Sequence, residues 1–257
     1  MTRLCCSLCR SVSCQVLIAF GGFFFAALSA ESQSEPAKVI ASCPPNDQGT
    51  ALTRSPTIHS DGESGQTDAG ISVVSTVILE VRQTSFPELA HVDLRVRTFR
   101  SHAEYLRTRF SLSRFLFFMP MRYFADVNPA LFQEQAPSDG VCAILAHELA
   151  HVVSLSRGNR IRRFGLVRLL SKLQTAKFER RTDLEAIHRG YGDGLRSYRM
   201  WVYTHIPSDK LSEKRRNYFS PEEIEAIQIL LEKRPELFGY WNAHVPMNLQ
   251  EVHNARR

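Results

Sequence analysis

The sequence predicts an α+β fold, a small, mainly antiparallel sheet followed by a helical region. Three observations carry that expectation. Apolar and charged residues alternate at a period of two only ahead of Pro129. Beyond Pro129 the apolar residues recur at helical spacing and are bounded by capping residues. The composition, 44% hydrophobic and 23% charged over 257 residues, suits a chain able to bury one sizeable core.

The amino-terminal 30 residues stand apart. Arg3 and Arg10 are their only charges, and the apolar run Val16 to Ala30 ends in small residues. This is the pattern of a secretory signal, and the run is shorter than the roughly 18 to 20 apolar residues of a membrane-spanning helix. The expectation is export to the periplasm or beyond with removal of residues 1–30; the alternative is an uncleaved segment that anchors the chain. Residues 31–70 are rich in Ser, Thr, Gly, Pro, Asp and Gln and read as a disordered lead-in, because they offer too little apolar surface to offset the entropy of ordering. Four of the six cysteines fall within the signal, leaving Cys43 and Cys142, which can pair in an oxidising compartment if geometry allows. The net charge of +6 becomes 30 minus 26, or +4, once residues 1–30 are removed. With no accompanying recognition motif, that balance gives no reason to expect nucleic acid as a partner.

A single domain, residues 71–257, is expected to follow. Ile71, Val74, Val77, Ile78 and Val81 lie at helical spacing, and Pro87 closes that helix. From His91 to Phe99, Val92, Leu94 and Val96 alternate with Asp93, Arg95 and Arg97 as in a half-buried strand. Two further extended pieces are expected at Phe115 to Phe118 and Arg122 to Asn128. Ser138 is placed to cap a helix running to about Leu155, a helical stretch covers Phe178 to Ile187, and Ser220 with Glu223 forms a capping box for a helix that ends before Pro235.

The run AILAHELAHVV, Ala143 to Val153, is built to be buried yet carries two histidines and a glutamate. Unpaired charge in an apolar interior costs several kcal/mol or more, so these groups need compensation. On a helix, positions i and i+4 share a face, and His147 and His151 can converge on one point. Imidazole is a favoured zinc ligand, and Glu148 points toward the space that a water beside the ion would fill. A third ligand is available downstream, where Glu179 and Asp183 also share a face. Glu179 reaches the metal in this reading, and Asp183 accepts a hydrogen bond from the remote nitrogen of a ligand histidine. Glu185 is the rival ligand.

HELAH followed by Glu179, Thr182, Asp183 and Ala186 in the pattern E-x-x-T-D-x-x-A resembles the gluzincin metallopeptidases, particularly the branch containing the CAAX prenyl proteases and their bacterial membrane relatives. The likeness spans about 45 residues, Val141 to Ala186. It implies a zincin-like fold around the HExxH helix, one zinc ion per chain held by His147, His151 and Glu179, Glu148 as general base, and Asp183 supporting a ligand. Members of that branch usually carry several membrane spans, and Thr182 stands where alanine is common. Both departures point to a soluble, exported cousin, a zinc endopeptidase acting on peptides or proteins.

In such a peptidase zinc polarises the scissile carbonyl and Glu148 moves the proton from water to the leaving amine. Tyr191, Tyr198, His188 and His205 are candidate donors to the oxyanion. By the same resemblance, Arg122 to Asn128 is the strand on which substrate lies. Between the ligand motifs, residues 157–172 interleave six basic with six apolar residues, a pattern suited either to a core helix with a solvated face or to peripheral membrane contact. In the tail Gly239 to Val252, His244 is a possible competitor for the metal. The alternatives in other classes are a non-catalytic, metal-containing binding or chaperone-like protein, and a zinc hydrolase of non-peptide amides.

Overall fold

The computed structural model describes Cys43 and residues 63–157 and 171–255. Their order is α1 (Glu63–Ser85), β1 (Asp93–Thr98), β2 (Leu106–Phe110), α2 (Leu112–Leu116), β3 (Arg122–Val127), α3 (Ala130–Gln133) and α4 (Ser138–Ser156). There follow α5 (Lys172–Ala186), α6 (Gly192–His205), α7 (Ser208–Asn217), α8 (Pro221–Lys233), α9 (Leu237–Ala243) and α10 (Leu249–Asn254). The architecture is α+β, a three-stranded sheet against a mainly helical body. No helix among the described residues is long and apolar enough to cross a membrane.

Helix α1 begins at Glu63, ahead of the start expected at Ile71 and inside the stretch read as a disordered lead-in. Its buried residues are those the spacing picks out, Val74, Val77, Ile78 and Val81, and they pack toward α4. Cys43 is buried and disulfide-bonded to Cys142 in α4, with Cα atoms 5.7 Å apart. The bond ties a segment 99 residues upstream to the helix that carries HELAH.

The sheet corrects two expectations. Its order is β1-β3-β2, with β3 parallel to β1 and antiparallel to β2, so it is mixed rather than mainly antiparallel. The connection after β1 accounts for this, because the Asn128 side chain, at the end of β3, donates to the Ser101 and Glu104 carbonyls and Phe99 N donates to Val127 O. The chain thus crosses the end of β3 and delivers β2 to its far side. The second correction concerns Phe115 to Phe118, which is not extended: Ser111 accepts from Arg114 N and starts the short helix α2, and Phe117 and Phe118 lie exposed beyond it. The third strand is instead Leu106–Phe110, whose alternation of Leu106, Thr108 and Phe110 with Arg107 and Arg109 is the period-two signal.

Helix α4 is the centre of the molecule, buried on every residue from Gly140 to Val153. It packs against α1, α5, α6 and β2. Pro137 rather than Ser138 occupies its cap position, with no side-chain capping bond. At α8 the expected capping box forms, Ser220 accepting from Glu223 N while the Glu223 carboxylate accepts from Ser220 N. Between α5 and α6 the chain kinks at Gly190, where φ is 89°, a conformation that disfavours any side chain. Gly194 then lies so close to α4 that an added Cβ would overlap the Asp139 carbonyl, which is how α6 comes into close contact with the buried helix.

Candidate metal centre

His147, Glu148 and His151 project from α4, and Glu179 and Asp183 from the facing α5. All five are buried. One Glu179 oxygen lies 3.0 Å from His151 Nε2 and 3.5 Å from His147 Nε2, and one donor atom from each of the three residues falls within 4.8 Å of the others. Two imidazoles and a carboxylate form a donor set that could hold a metal ion. Three ligands at about 2.0 to 2.1 Å from a tetrahedral ion stand roughly 3.3 Å from one another, which is close to the two distances from the Glu179 oxygen to the imidazole nitrogens.

The charges around the cluster explain how it is tolerated. Burial opposes the imidazolium form of His147, but the carboxylate of Asp183, with Glu179 and Glu148, outweighs it and raises the pKa to about 9. Burial also opposes ionisation of Glu179, yet His151 and His147 hold its carboxyl well below the usual range. Asp183 is fully enclosed: one oxygen lies 2.7 Å from His147 Nδ1 and 2.8 Å from Arg199 Nη2, and the other accepts from Phe219 N at 3.0 Å. Although its burial favours the neutral acid, Arg199, His147 and Phe219 N–H lower its pKa. The chain Arg199, Asp183, His147 fixes which imidazole nitrogen faces the donor cluster. His151 is held by stacking on Phe178, ring centroids 4.9 Å apart.

Glu148 has a different environment. Its Oε2 is buried with no hydrogen-bond partner among the described residues, while Thr108 of β2 donates to its backbone carbonyl at 3.1 Å. The carboxylate borders a cavity of about 30 Å³, lined also by His147, Tyr198, Arg199, Lys214 and Tyr218. That volume holds one or two waters. Burial raises the Tyr218 phenol well above its ordinary pKa, reinforced by Glu179, and burial likewise raises Tyr198, so both present neutral hydroxyls. Burial and the neighbouring Arg199 lower the Lys214 ammonium.

Of the four expected oxyanion donors, only Tyr198 reaches this cavity. Tyr191 bonds Ser85 at 2.8 Å, His188 is exposed and stacked on Phe238, and His205 is exposed and bonded to Trp201 O. Glu185 is taken by Arg189, which leaves Glu179 as the carboxylate beside the histidines. His244 is held by its neighbour Tyr240 and takes no part in the donor cluster. Arg180 turns away from Glu179 to pair with buried Glu223 at 2.9 Å. Arg122 to Asn128 is corrected as a substrate strand, since β3 is central and paired on both sides; β2 is the edge strand next to α4. Of the basic amphipathic run 157–172, residues 158–170 lie outside the described residues.

Sequence reasoning missed Arg199, Lys214 and Tyr218. No local pattern marks Arg199, and the signal at Tyr218 is only its position two residues ahead of the Ser220 cap. Compared with protein-family models, with curated proteins and with solved structures, the chain matches none.

Proposed function

We propose that this chain is an exported, zinc-dependent endopeptidase with a zincin-like, gluzincin type of site. The observation that carries the reading is Glu148 Oε2, buried with no hydrogen-bond partner among the described residues, beside a two-histidine, one-carboxylate cluster. A metal with a purely structural role has no use for a free base at that position, and desolvating a carboxylate without a partner is costly unless the site uses it. His147, His151 and Glu179 are the residues that would hold one zinc ion per chain. Zinc bound there would supply Lewis acidity, polarising the scissile carbonyl and lowering the pKa of water.

The remaining chemistry belongs to the protein. Glu148 Oε2 accepts the proton of the attacking water and delivers it to the leaving nitrogen. Tyr218 and Tyr198, kept neutral, and Lys214 are the donors placed to stabilise charge on the carbonyl oxygen. The open edge of β2 receives the peptide as an added strand, and Thr108 couples that strand to the backbone of Glu148. The Cys43–Cys142 disulfide supports residence in an oxidising compartment, in keeping with an export signal at residues 1–30.

The test is zinc content per chain together with hydrolysis of an unstructured protein substrate. Wild type holds one zinc and cleaves. Glu148→Gln keeps the zinc and loses about 10² to 10⁴ of the rate, while His151→Ala loses the metal. Cleavage of small amides but not of peptides would move the reading to a non-peptide amidase; zinc retention without any hydrolysis would leave a metal-containing binding protein.

A further inference from the structure

The loop between β2 and β3 gathers exposed apolar side chains. Of the eleven large hydrophobic residues exposed among the described residues, five lie within eight positions: Leu112, Leu116, Phe117, Phe118 and Met119. Phe117 and Phe118 are each 75% exposed. Phe118 has φ 56°, unusual for a bulky residue, and the backbone is pinned in that shape. Met119 N donates to Arg114 O at 2.9 Å, and Arg114 Nη1 donates to Pro120 O at 3.1 Å. A strained, fixed turn thus directs two phenylalanines into solvent.

The sheet beside this loop supplies the complementary feature. Register puts Arg95 and Arg109 opposite Phe124, Arg122 opposite Asp93, and Arg97 and Arg107 opposite Asp126, all on the face turned away from α4. Five guanidinium groups share that face with Asp93 and Asp126, and Glu104 reaches Arg107 at 3.5 Å, a balance of +2. Asp126 is almost enclosed beneath Arg97, Arg107 and Arg109, whereas Asp93, paired with Arg95 at 3.3 Å, and Glu104 are partly exposed; with the Arg95 and Arg109 side chains 58% and 47% exposed, guanidinium still exceeds carboxylate at the surface.

We propose that Leu112–Met119, with the arginine face of the sheet behind it, docks on an anionic lipid surface, the apolar tip entering the acyl boundary and the guanidiniums meeting the headgroups. Apolar side chains rimmed by basic ones are the arrangement that binds such an interface. A nucleic acid fits less well: it could stack only on Phe117 and Phe118, because Phe124 and Phe99 on the arginine face are covered by the Arg97 and Arg107 guanidiniums at 3.6 and 4.0 Å, and it would leave Leu112, Leu116 and Met119 without an apolar partner. The assignment does not depend on zinc or on peptidase activity.

The test uses the full chain carrying Phe117→Trp, with the parent chain's emission subtracted, so that the readout is local to the loop even if residues 16–30 also bind lipid. With vesicles of mixed phosphatidylglycerol and phosphatidylcholine, the emission of the introduced indole shifts to the blue and is quenched by brominated acyl chains. Arg95→Gln and Arg109→Gln each weaken the loop's partition roughly fivefold, and adding Phe118→Ser to the reporter chain abolishes quenching. Unchanged emission with anionic vesicles overturns the proposal, as does equal quenching by pure phosphatidylcholine. A blue shift without lipid that grows with protein concentration overturns it in favour of a second copy as the occupant.

Discussion

Replacing Asp183 by Asn tests the support of the candidate metal centre with almost no change of shape. The native carboxylate is fully enclosed and serves three groups, His147 Nδ1, Arg199 Nη2 and Phe219 N. Asn keeps one oxygen for Arg199 and His147 but turns an amide N–H toward Phe219 N–H, a clash of donors worth about 1–3 kcal/mol. It also leaves the Arg199 guanidinium, itself buried, without its counter-charge. Breaking a buried pair from one side costs about 3–5 kcal/mol, and the two effects overlap, so about 3–5 kcal/mol is the expected total. With a urea dependence of about 2 kcal/mol per molar, the unfolding midpoint of the metal-free chain falls by roughly 2 M. Arg199→Met alone is milder, because Asp183 keeps His147, and the double variant costs less than the sum by about 2 kcal/mol. Zinc affinity of Asp183→Asn drops about 10- to 100-fold, since the imidazole loses the group that orients it. Urea unfolding and competition with a chelator measure the two quantities. A stability unchanged within about 0.5 kcal/mol together with undiminished zinc affinity would refute the claim that Asp183 organises the site.

Two further outcomes follow from the same geometry. In the metal-free chain His147 titrates near 9, above its unfolded value of 6.5, so its protonation stabilises the fold fully below pH 6.5 and the contribution, at most about 3 kcal/mol, fades as pH rises through 9. Zinc must displace that proton, so apparent affinity climbs about tenfold per pH unit toward pH 9 and then levels off; an affinity flat between pH 6 and 9 contradicts the pairing of His147 with Asp183. Reducing the Cys43–Cys142 bond, or replacing both residues by Ala, removes a cross-link over a separation of 99 residues and lowers stability by about 2–5 kcal/mol; thermal unfolding with and without reductant reads this directly, and coincident curves would show that the link contributes nothing.

Particular residues show why some of this was legible before the structure and some was not. His147 and His151, Glu179 and Asp183, and Ser220 with Glu223 are pairs separated by three or four positions, and helical geometry alone places each on one face or one turn. The buried stripe of α1 follows from the same periodicity. Phe115 to Phe118 misled because an apolar run looks alike whether buried as a strand or exposed as a loop, and only surroundings distinguish the two. The gain of Glu179 over Glu185 was decided by a partner four residues beyond the rival, Arg189, which also pairs with Glu88.

The sequence by itself determined that His147, Glu148 and His151 would lie on one helix and Glu179 with Asp183 on one face of another, because each spacing is a local property of the backbone. Only the tertiary structure decided that those faces meet, that Arg199 and Phe219 hold Asp183, that Tyr218 and Lys214 line the cavity beside Glu148, and that β3 is central with β2 at an edge. Each of these depends on chain crossings between residues far apart in sequence, set by the packing of α4 at the centre and by the connection that carries β2 around β3. No short-range periodicity encodes them.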